Sequence, residues 1–440
     1  MNENLPKLLG IRLNEGISKK NLLTFFFVLT FMGLPLMFFV SASQDFFLTT
    51  FLKIPSAEQG KVAGYLGFYR ELVILFVIGL AGVLADKIGR RTVAVVGFLS
   101  MAIGYSLFPF STNLIEAFIF QTFSAIGNAC VTGMMSTVIA DYVFDRDRGK
   151  ASAIQGILIA LTFPVVGFVL KPMPKYFQNA GYEEILAGKF SYWLVAGFAV
   201  FFAVVLFFGL KGGLPTKHFE RKGVLELFRE GVAAGRNPGI ALSYLSAFVS
   251  RSDLAVIGLF LSIWVSNYAR DTLGLDSATA AQKAGVVLSS GALAYLISAP
   301  IAGFLTDRIN RVTALIIAAA IGVVAYLSVI SIVNPLSPAM YGIVSLFSIA
   351  QIFGVITSQV LISQQAPMEI RGSVIGFFGL CGAAAQIGLS LIGGILFSTY
   401  SPVAPFVMVA GMNLVLLIVA LFLRSKIKDT GQTVEVVAGH

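Results

Sequence analysis

Five ionisable side chains stand inside long apolar runs of this 440-residue sequence: Asp45, Arg70, Glu71, Arg251 and Asp253. A charge at membrane depth costs several kcal/mol unless it is paired or hydrated, so each is a candidate for binding a solute, carrying a proton or holding helices together. Arg251 and Asp253 lie near the middle of their run, where a long side chain reaches the interface least easily. At i,i+2 on a helix they point to nearly opposite sides, so at least one should look into a cavity. Arg70 and Glu71 are neighbours that diverge on a helix and make poor partners. Arg70 either extends outward along its aliphatic stem or bridges to Asp45 on the neighbouring helix. His218 and His440 fall outside the apolar runs. A transported proton would therefore need a carboxylate, Asp45, Glu71 or Asp253, because burial disfavours the charged form. A midplane arginine suits an anionic solute, provided Asp253 does not neutralise it.

The elements that position these groups follow from composition. Hydrophobic residues make up 57% of the chain and charged residues 12%, with a mean hydropathy of +0.87. Soluble proteins carry about 25% charge, so a soluble fold is excluded. Runs of about 20 apolar residues match the length needed to cross about 30 Å of hydrocarbon. The net charge of +9 invites a nucleic-acid reading, but the distribution answers it. About 22 of the 31 basic residues fall on one side of the expected topology, the positive-inside pattern. No nucleic-acid partner is expected. Cys130 and Cys381 lie in apolar runs of opposite halves and read as small core residues, not a disulfide or metal pair. The first run is too long for a cleavable signal peptide and follows a polar, basic leader.

The pattern predicts twelve spans: about 21–45, 64–85, 92–110, 114–143, 151–170 and 190–210, then 240–268, 284–305, 312–333, 338–366, 373–398 and 403–423. These group into a six-helix bundle at 21–210 and another at 239–424. Residues 1–20 form a cytoplasmic leader, 211–238 a cytoplasmic linker and 425–440 a cytoplasmic tail. The linker holds an amphipathic stretch, Val224 to Val232, expected along the inner membrane surface. Pro35 should kink the first helix. An outer loop of roughly twenty residues, with Lys171, Lys175 and Lys189, joins the fifth and sixth spans.

Two short segments repeat half a chain apart. Gly82 to Arg91 reads GVLADKIGRR, and Gly303 to Arg311 reads GFLTDRINR. Asn310 replaces Gly89, and like glycine it tolerates a left-handed backbone. Arg148-Gly149 precedes the fifth span as Arg371-Gly372 precedes the eleventh. At that offset Gly149, Ala153, Gly156 and Ala160 map onto Gly372, Gly376, Gly379 and Ala383, a small-residue stripe that lets another helix approach closely. A parallel repeat of six-helix units explains the coincidence.

Over essentially the whole chain these features resemble the major facilitator superfamily of secondary transporters. The resemblance implies an all-α membrane protein of two pseudo-symmetric six-helix bundles, both termini cytoplasmic, with no cofactor, no bound metal and no enzymatic activity. It gives a gating role to Gly82, Asp86, Gly89, Arg90, Arg91, Asp141 and Arg148, and to Gly303, Asp307, Arg311 and Arg371. Asp86 would face the start of helix eleven and Arg90 would pair with Asp141, latching the inner side. Helices one, four, seven and ten would line the cavity, which adds Gln121, Asn128, Gln351 and Gln359 to Asp45, Arg251 and Asp253. Arg70 and Glu71, in helix two, remain candidates by their depth. The chain departs from the proton-driven drug exporters: Gln121 stands where their helix-four arginine falls, and Phe163-Pro164-Val165-Val166-Gly167 keeps only part of the antiporter signature.

The expected function is secondary active transport of a small polar or anionic organic solute by alternating access, coupled to protons or another ion. The expected setting is a monomer in the plasma membrane, the inner membrane in a bacterium. Export of lipophilic drugs or lipids is the alternative. An ATP-driven pump is disfavoured because Gly149-Lys150-Ala151 lacks the upstream glycine and the following hydroxyl of a phosphate loop. A sensor would want a larger soluble domain than the linker offers.

Overall fold

The computed structural model describes residues 6–144, 147–213 and 224–427. Backbone polar groups in hydrocarbon must be satisfied within the segment, which leaves helices for so apolar a chain. The helices are α1 (Lys19–Ala42), α2 (Ser56–Ile88), α3 (Arg90–Phe110), α4 (Leu114–Tyr142), α5 (Arg148–Asn179) and α6 (Glu184–Gly209). They continue as α7 (Pro238–Asp271), α8 (Ser277–Arg308), α9 (Arg311–Ser331), α10 (Pro338–Gln365), α11 (Met368–Thr399) and α12 (Ala404–Leu423). Eleven are long and apolar enough to cross a membrane; α2, at 33 residues, carries its apolar run over 72–85. The all-α membrane architecture expected from the sequence is the one observed.

Several of these helices are not uniform. Wide π-helical turns interrupt α1 at Phe25–Met32, α5 at Val165–Leu170 and α7 at Ile257–Leu261. The first lies just before Pro35, which has no N–H to give to the preceding turn. Helix α8 breaks between Ser289 and Ala292.

Two sequence expectations change here. Helix α1 resumes after Ser43 as Gln44–Thr50, so Asp45 opens a further helical segment instead of ending a span. The roughly twenty-residue loop after the fifth span is absent, because α5 continues helically through Met173–Asn179. Pro174 sits in the first turn of that continuation, where its missing N–H costs nothing. Lys171 therefore lies within α5.

The chain packs as two compact units. One comprises the described residues of Met1–Phe219 with Gly258–Ala292, the other those of Glu220–Ile257 with Leu293–His440. The segment Gly258–Ala292 falls in the first unit although it follows residues of the second in the chain. That segment begins inside the π turn of α7 and ends at the break in α8.

In the first unit α3 packs on α4 and α6, and α2 on α4. The α3–α4 crossing is tight: a Cβ on Gly127 would lie 2.5 Å from Met101 Cγ and 2.6 Å from the Gly97 carbonyl oxygen. The leader is folded as well. Strands β1 (Lys7–Leu8) and β2 (Ile11–Arg12) form an antiparallel hairpin whose turn residues, Leu9 and Gly10, both have positive φ.

In the second unit the first part of α7 packs on α10, α11 and α12, and Tyr326, Phe347 and Phe406 stack in sequence with centroids 4.7 and 5.6 Å apart. The linker helix Val224–Ala234 lies on α11. Tyr244 donates to the Gly231 carbonyl at 2.8 Å, and the Phe228 and Phe377 rings meet at 5.5 Å. Phe228 and Val232 nonetheless remain about half exposed.

The glycines of the repeated small-residue stripe do not mediate close packing. Among the described residues, no heavy atom lies within 4 Å of where a Cβ would stand at Gly149, Gly156, Gly372, Gly376 or Gly379. Small residues permit approach; they do not compel it.

The two glycine settings make opposite demands. Gly127→Val should lower the melting temperature in detergent, since overpacking costs about 1–3 kcal/mol. Gly156→Ala should leave it unchanged or raise it, because helical glycine is worse than alanine by roughly 0.5–1 kcal/mol. Equal melting temperatures for both variants would contradict the packing described.

Candidate functional site

The most deeply buried charges form one cluster in the first unit. Lys171 Nζ lies 2.6 Å from Asp45 Oδ1, and both side chains are fully buried. Lys171 also donates to the Ala42 carbonyl at 2.6 Å and to Ser262 Oγ at 2.5 Å. The Ala42 carbonyl is available because α1 breaks at Ser43. Ser266, one turn beyond Ser262 on α7, donates to Asp45 Oδ2. The ammonium thus has three acceptors and the carboxylate two donors, as a charge away from water requires. The sequence reading put Lys171 in a loop and offered Arg70 to Asp45. No spacing rule links residues 126 apart; the only signal was a lysine closing an apolar run before a proline.

Arg70 turns instead to its neighbour. Its Nη2 and Nε reach Glu71 Oε1 at 2.9 and 3.2 Å, and its Nη1 meets Ser41 of α1. The two Cβ atoms diverge, but both side chains are long enough to fold together. Adjacency was the wrong ground for excluding the pair.

The second unit holds a carboxylate of another kind. Asp253 is buried midway along α7 and accepts from Asn413 Nδ2 of α12 at 3.0 Å. The buried Tyr326 hydroxyl faces it. Asp253 makes no ion pair among the described residues. Beside it lies a cavity of about 10 Å³ lined by Ser246, Ser250, Asp253, Gly354 and Asn413 among others, room for one water-sized occupant. Arg251, on the opposite side of α7, is exposed; its stem passes Gly382 and its charge faces Tyr295.

The neutral candidates separate. Gln121 and Asn128 are buried on α4 and donate to the carbonyls of Leu66 and Met37 at 3.1 and 3.5 Å. Among the described residues the side-chain oxygens of both have no hydrogen-bond partner. On α10, Gln351 is buried and Gln359 exposed.

The repeated motifs form two clasps. Arg90 contacts Asp86 Oδ1 at 2.8 Å and donates to Asp141 Oδ2 at 3.0 Å, while Arg91 lies over the Phe207 ring. Arg148 donates to the Ala140 carbonyl and Arg371 to the Ser363 carbonyl, each eight residues back, so the repeat preserves geometry as well as sequence. Gly82 lies half-buried on α2. In the second copy Gly303 is half-buried, Asp307 is exposed and Arg311 opens α9. Gly89 has φ +92° and ψ 148°, and a Cβ there would lie 2.7 Å from the Gly213 carbonyl oxygen. Asn310 does not share that conformation: at φ −54° it caps α9, its side chain accepting from the N–H groups of Val312 and Thr313. A side-chain acceptor at a helix start makes the left-handed backbone unnecessary.

Twelve long helices among the described residues, an internal repeat and charges clasped within the spans define a multi-pass membrane protein. The chain belongs to the Major Facilitator Superfamily, whose family model matches residues 22–389, and is therefore a membrane transporter. The magnetosome protein MamH of Paramagnetospirillum magneticum is 25% identical over 417 residues, 92% of this chain and 93% of that one. The magnetosome protein MamZ of the same organism is 23% identical; the match covers 88% of this chain and 60% of MamZ. The nucleoside transporter NupG superposes with a TM-score of 0.71 at 15% identity, covering 93% of this chain and all of NupG. A bacterial homologue of the human lysosomal transporter Spinster, inward-facing and unoccupied, gives 0.64 at 15% identity, covering 93% and 96%. At that identity the likeness is one of fold.

Removing one member of a buried ion pair strands the other, at a cost of about 3–5 kcal/mol. Asp45→Asn and Lys171→Met should each lower the melting temperature sharply, and the double variant should recover most of the loss. Additive losses would show that the pair is not the unit of stability. Gly89→Ala should cost about 1–3 kcal/mol through backbone strain. Asn310→Gly should cost only a few tenths, because glycine is tolerated at a helix cap. The same melting experiment compares them.

Proposed function

We propose that this transporter is secondary active and moves a small polar or anionic organic solute by alternating access, in symport with protons. Its setting would be the plasma membrane, the inner membrane in a bacterium. The observation that carries this is the division of labour on α7. Asp253 is buried at mid-helix without an ion-pair partner among the described residues, and Arg251, two residues earlier, is exposed. A carboxylate so placed is far less costly when neutral, which suits a group that gains and loses a proton. Its cavity of about 10 Å³ admits a water but no organic solute, so Asp253 fits the coupling step and not solute recognition. An exposed guanidinium halfway along a membrane helix is tolerated where it meets water, and there it attracts anions.

The test is uptake into proteoliposomes under an imposed pH gradient, with organic anions and lipophilic cations as competing panels. Asp253→Asn should abolish gradient-driven accumulation while sparing solute exchange without a gradient. Arg251→Ala should raise KM for anions at least tenfold. Undiminished accumulation in Asp253→Asn would sink the coupling assignment. Preference for lipophilic cations, indifferent to Arg251, would favour an exporter of lipophilic molecules.

A further inference from the structure

The folded leader is more than a polar preface to α1. Ile11 and Leu13 are completely buried, and Ile17 nearly so. Leu13 bridges to Val143 as a strand partner, Asn14 N–H donates to the Tyr142 carbonyl at 2.9 Å, and Phe144 N–H donates to the Arg12 carbonyl at 3.0 Å. Arg12 gives Asp147 three hydrogen bonds: backbone N–H at 3.0 Å, Nε at 2.6 Å and Nη2 at 3.2 Å. Its guanidinium also lies 5.2 Å from the Phe144 ring centroid. Lys150 reaches both Asp147, at 3.4 Å, and the Gly10 carbonyl, at 3.3 Å. Asn14 Nδ2 donates to the Asp141 carbonyl at 2.8 Å, and the carboxylate of Asp141 is what Arg90 grips.

Fixing a backbone costs about 1–2 kcal/mol per residue, so a leader without a role would stay loose. This one is sewn to Tyr142, Val143, Phe144 and Asp147, between α4 and α5. We infer that the hairpin is a strap: it fixes the end of α4 and the start of α5 and, through Asp141, keeps Arg90 latched, slowing the opening of that end in each transport cycle. The inference rests on the alternating-access reading for its effect on rate, but the strapped geometry is measurable without transport.

The strap is not a pH switch near neutrality. The hydrogen bonds from the Arg12 guanidinium, aided by its backbone N–H, hold the Asp147 carboxyl well below the usual carboxylate range. A depressed carboxylate contributes its stability above the ordinary carboxylate pKa and loses it only as pH falls through the lowered value. The charged groups facing Asp147 are Arg12 and Lys150.

Hydrogen exchange on the full-length protein in nanodiscs tests the geometry. Arg12→Ala and Asp147→Asn should each speed exchange several-fold across 139–150 and across the latch at 86–93. The double variant should do no more than either alone, as for one shared interaction. Leu9→Ala, on an exposed hairpin tip, should change neither region. Faster exchange confined to the hairpin, or reaching 139–150 without the latch, would overturn the strap. In reconstituted vesicles the same variants should shift the maximal transport rate several-fold with KM held. Unchanged rates despite a loosened latch would overturn it as a control on transport. Absence of flux in the wild type would instead count against the proposed function, with exchange still deciding the strap.

Discussion

Hydrocarbon offers a charge no solvent, and each ionic group in this protein has met that constraint in its own way. Asp45 and Lys171 meet it completely: each neutralises the other, and serines and a freed carbonyl complete the shell. Such a pair earns little net stability against an apolar substitute, but it ties together the surfaces that carry its members and their hydrogen-bond partners. Here those surfaces are the continuation of α1, the π-helical turn of α5 and the far half of α7. Arg70 and Glu71 meet it more locally, within one helix, with Ser41 as the tie to α1. Asp253 meets it without a countercharge among the described residues, through one amide donor, the facing Tyr326 hydroxyl and a small cavity. The pair is saturated by charge, and Asp253 is served by neutral groups alone.

The internal repeat shows what equal sequence does and does not impose. Arg148 and Arg371 each reach back eight residues to a carbonyl near the end of the preceding helix, so an inherited register has kept its geometry. The acidic–basic turns have diverged. In the first copy the glycine at 89 brings the backbone against Gly213, and Arg90 binds two carboxylates. In the second, Asn310 caps its helix with a side chain and Asp307 stays exposed. The two turns look alike in sequence because both must reverse the chain between helices. They differ in structure because glycine and asparagine solve that problem by different means.

Much of this was legible in advance, and the limits have physical causes. Helix number and order follow from apolar length, and the divergence of Arg251 and Asp253 follows from 100° per residue. The meeting of Arg90 with Asp141 was read only through the resemblance. Lys171 was missed because hydropathy reads a lysine and two prolines as a loop, while the structure lets Asp45 neutralise the first and a helix start absorb the second. The hairpin was missed because its apolar residues, Ile11, Leu13 and Ile17, are too few to register in windows tuned to twenty-residue spans. Their significance lies in partners at 141–147, and distance along the chain hides such pairings.

Helix α7 joins these themes. Asp253 stands four residues before the π-helical turn Ile257–Leu261, and Ser262, the first residue beyond it, already belongs to the shell of Lys171. A π turn inserts an extra residue and so resets the face on which everything after it emerges. In an unbroken α-helix Ser262 would stand about 180° from Asp253, at 100° per residue over nine positions. The wide turn alters that relation. Serines tie α7 to Asp45 and Lys171 after the turn, and Asp253 stands before it with the Asn413 amide and the Tyr326 hydroxyl as its polar neighbours.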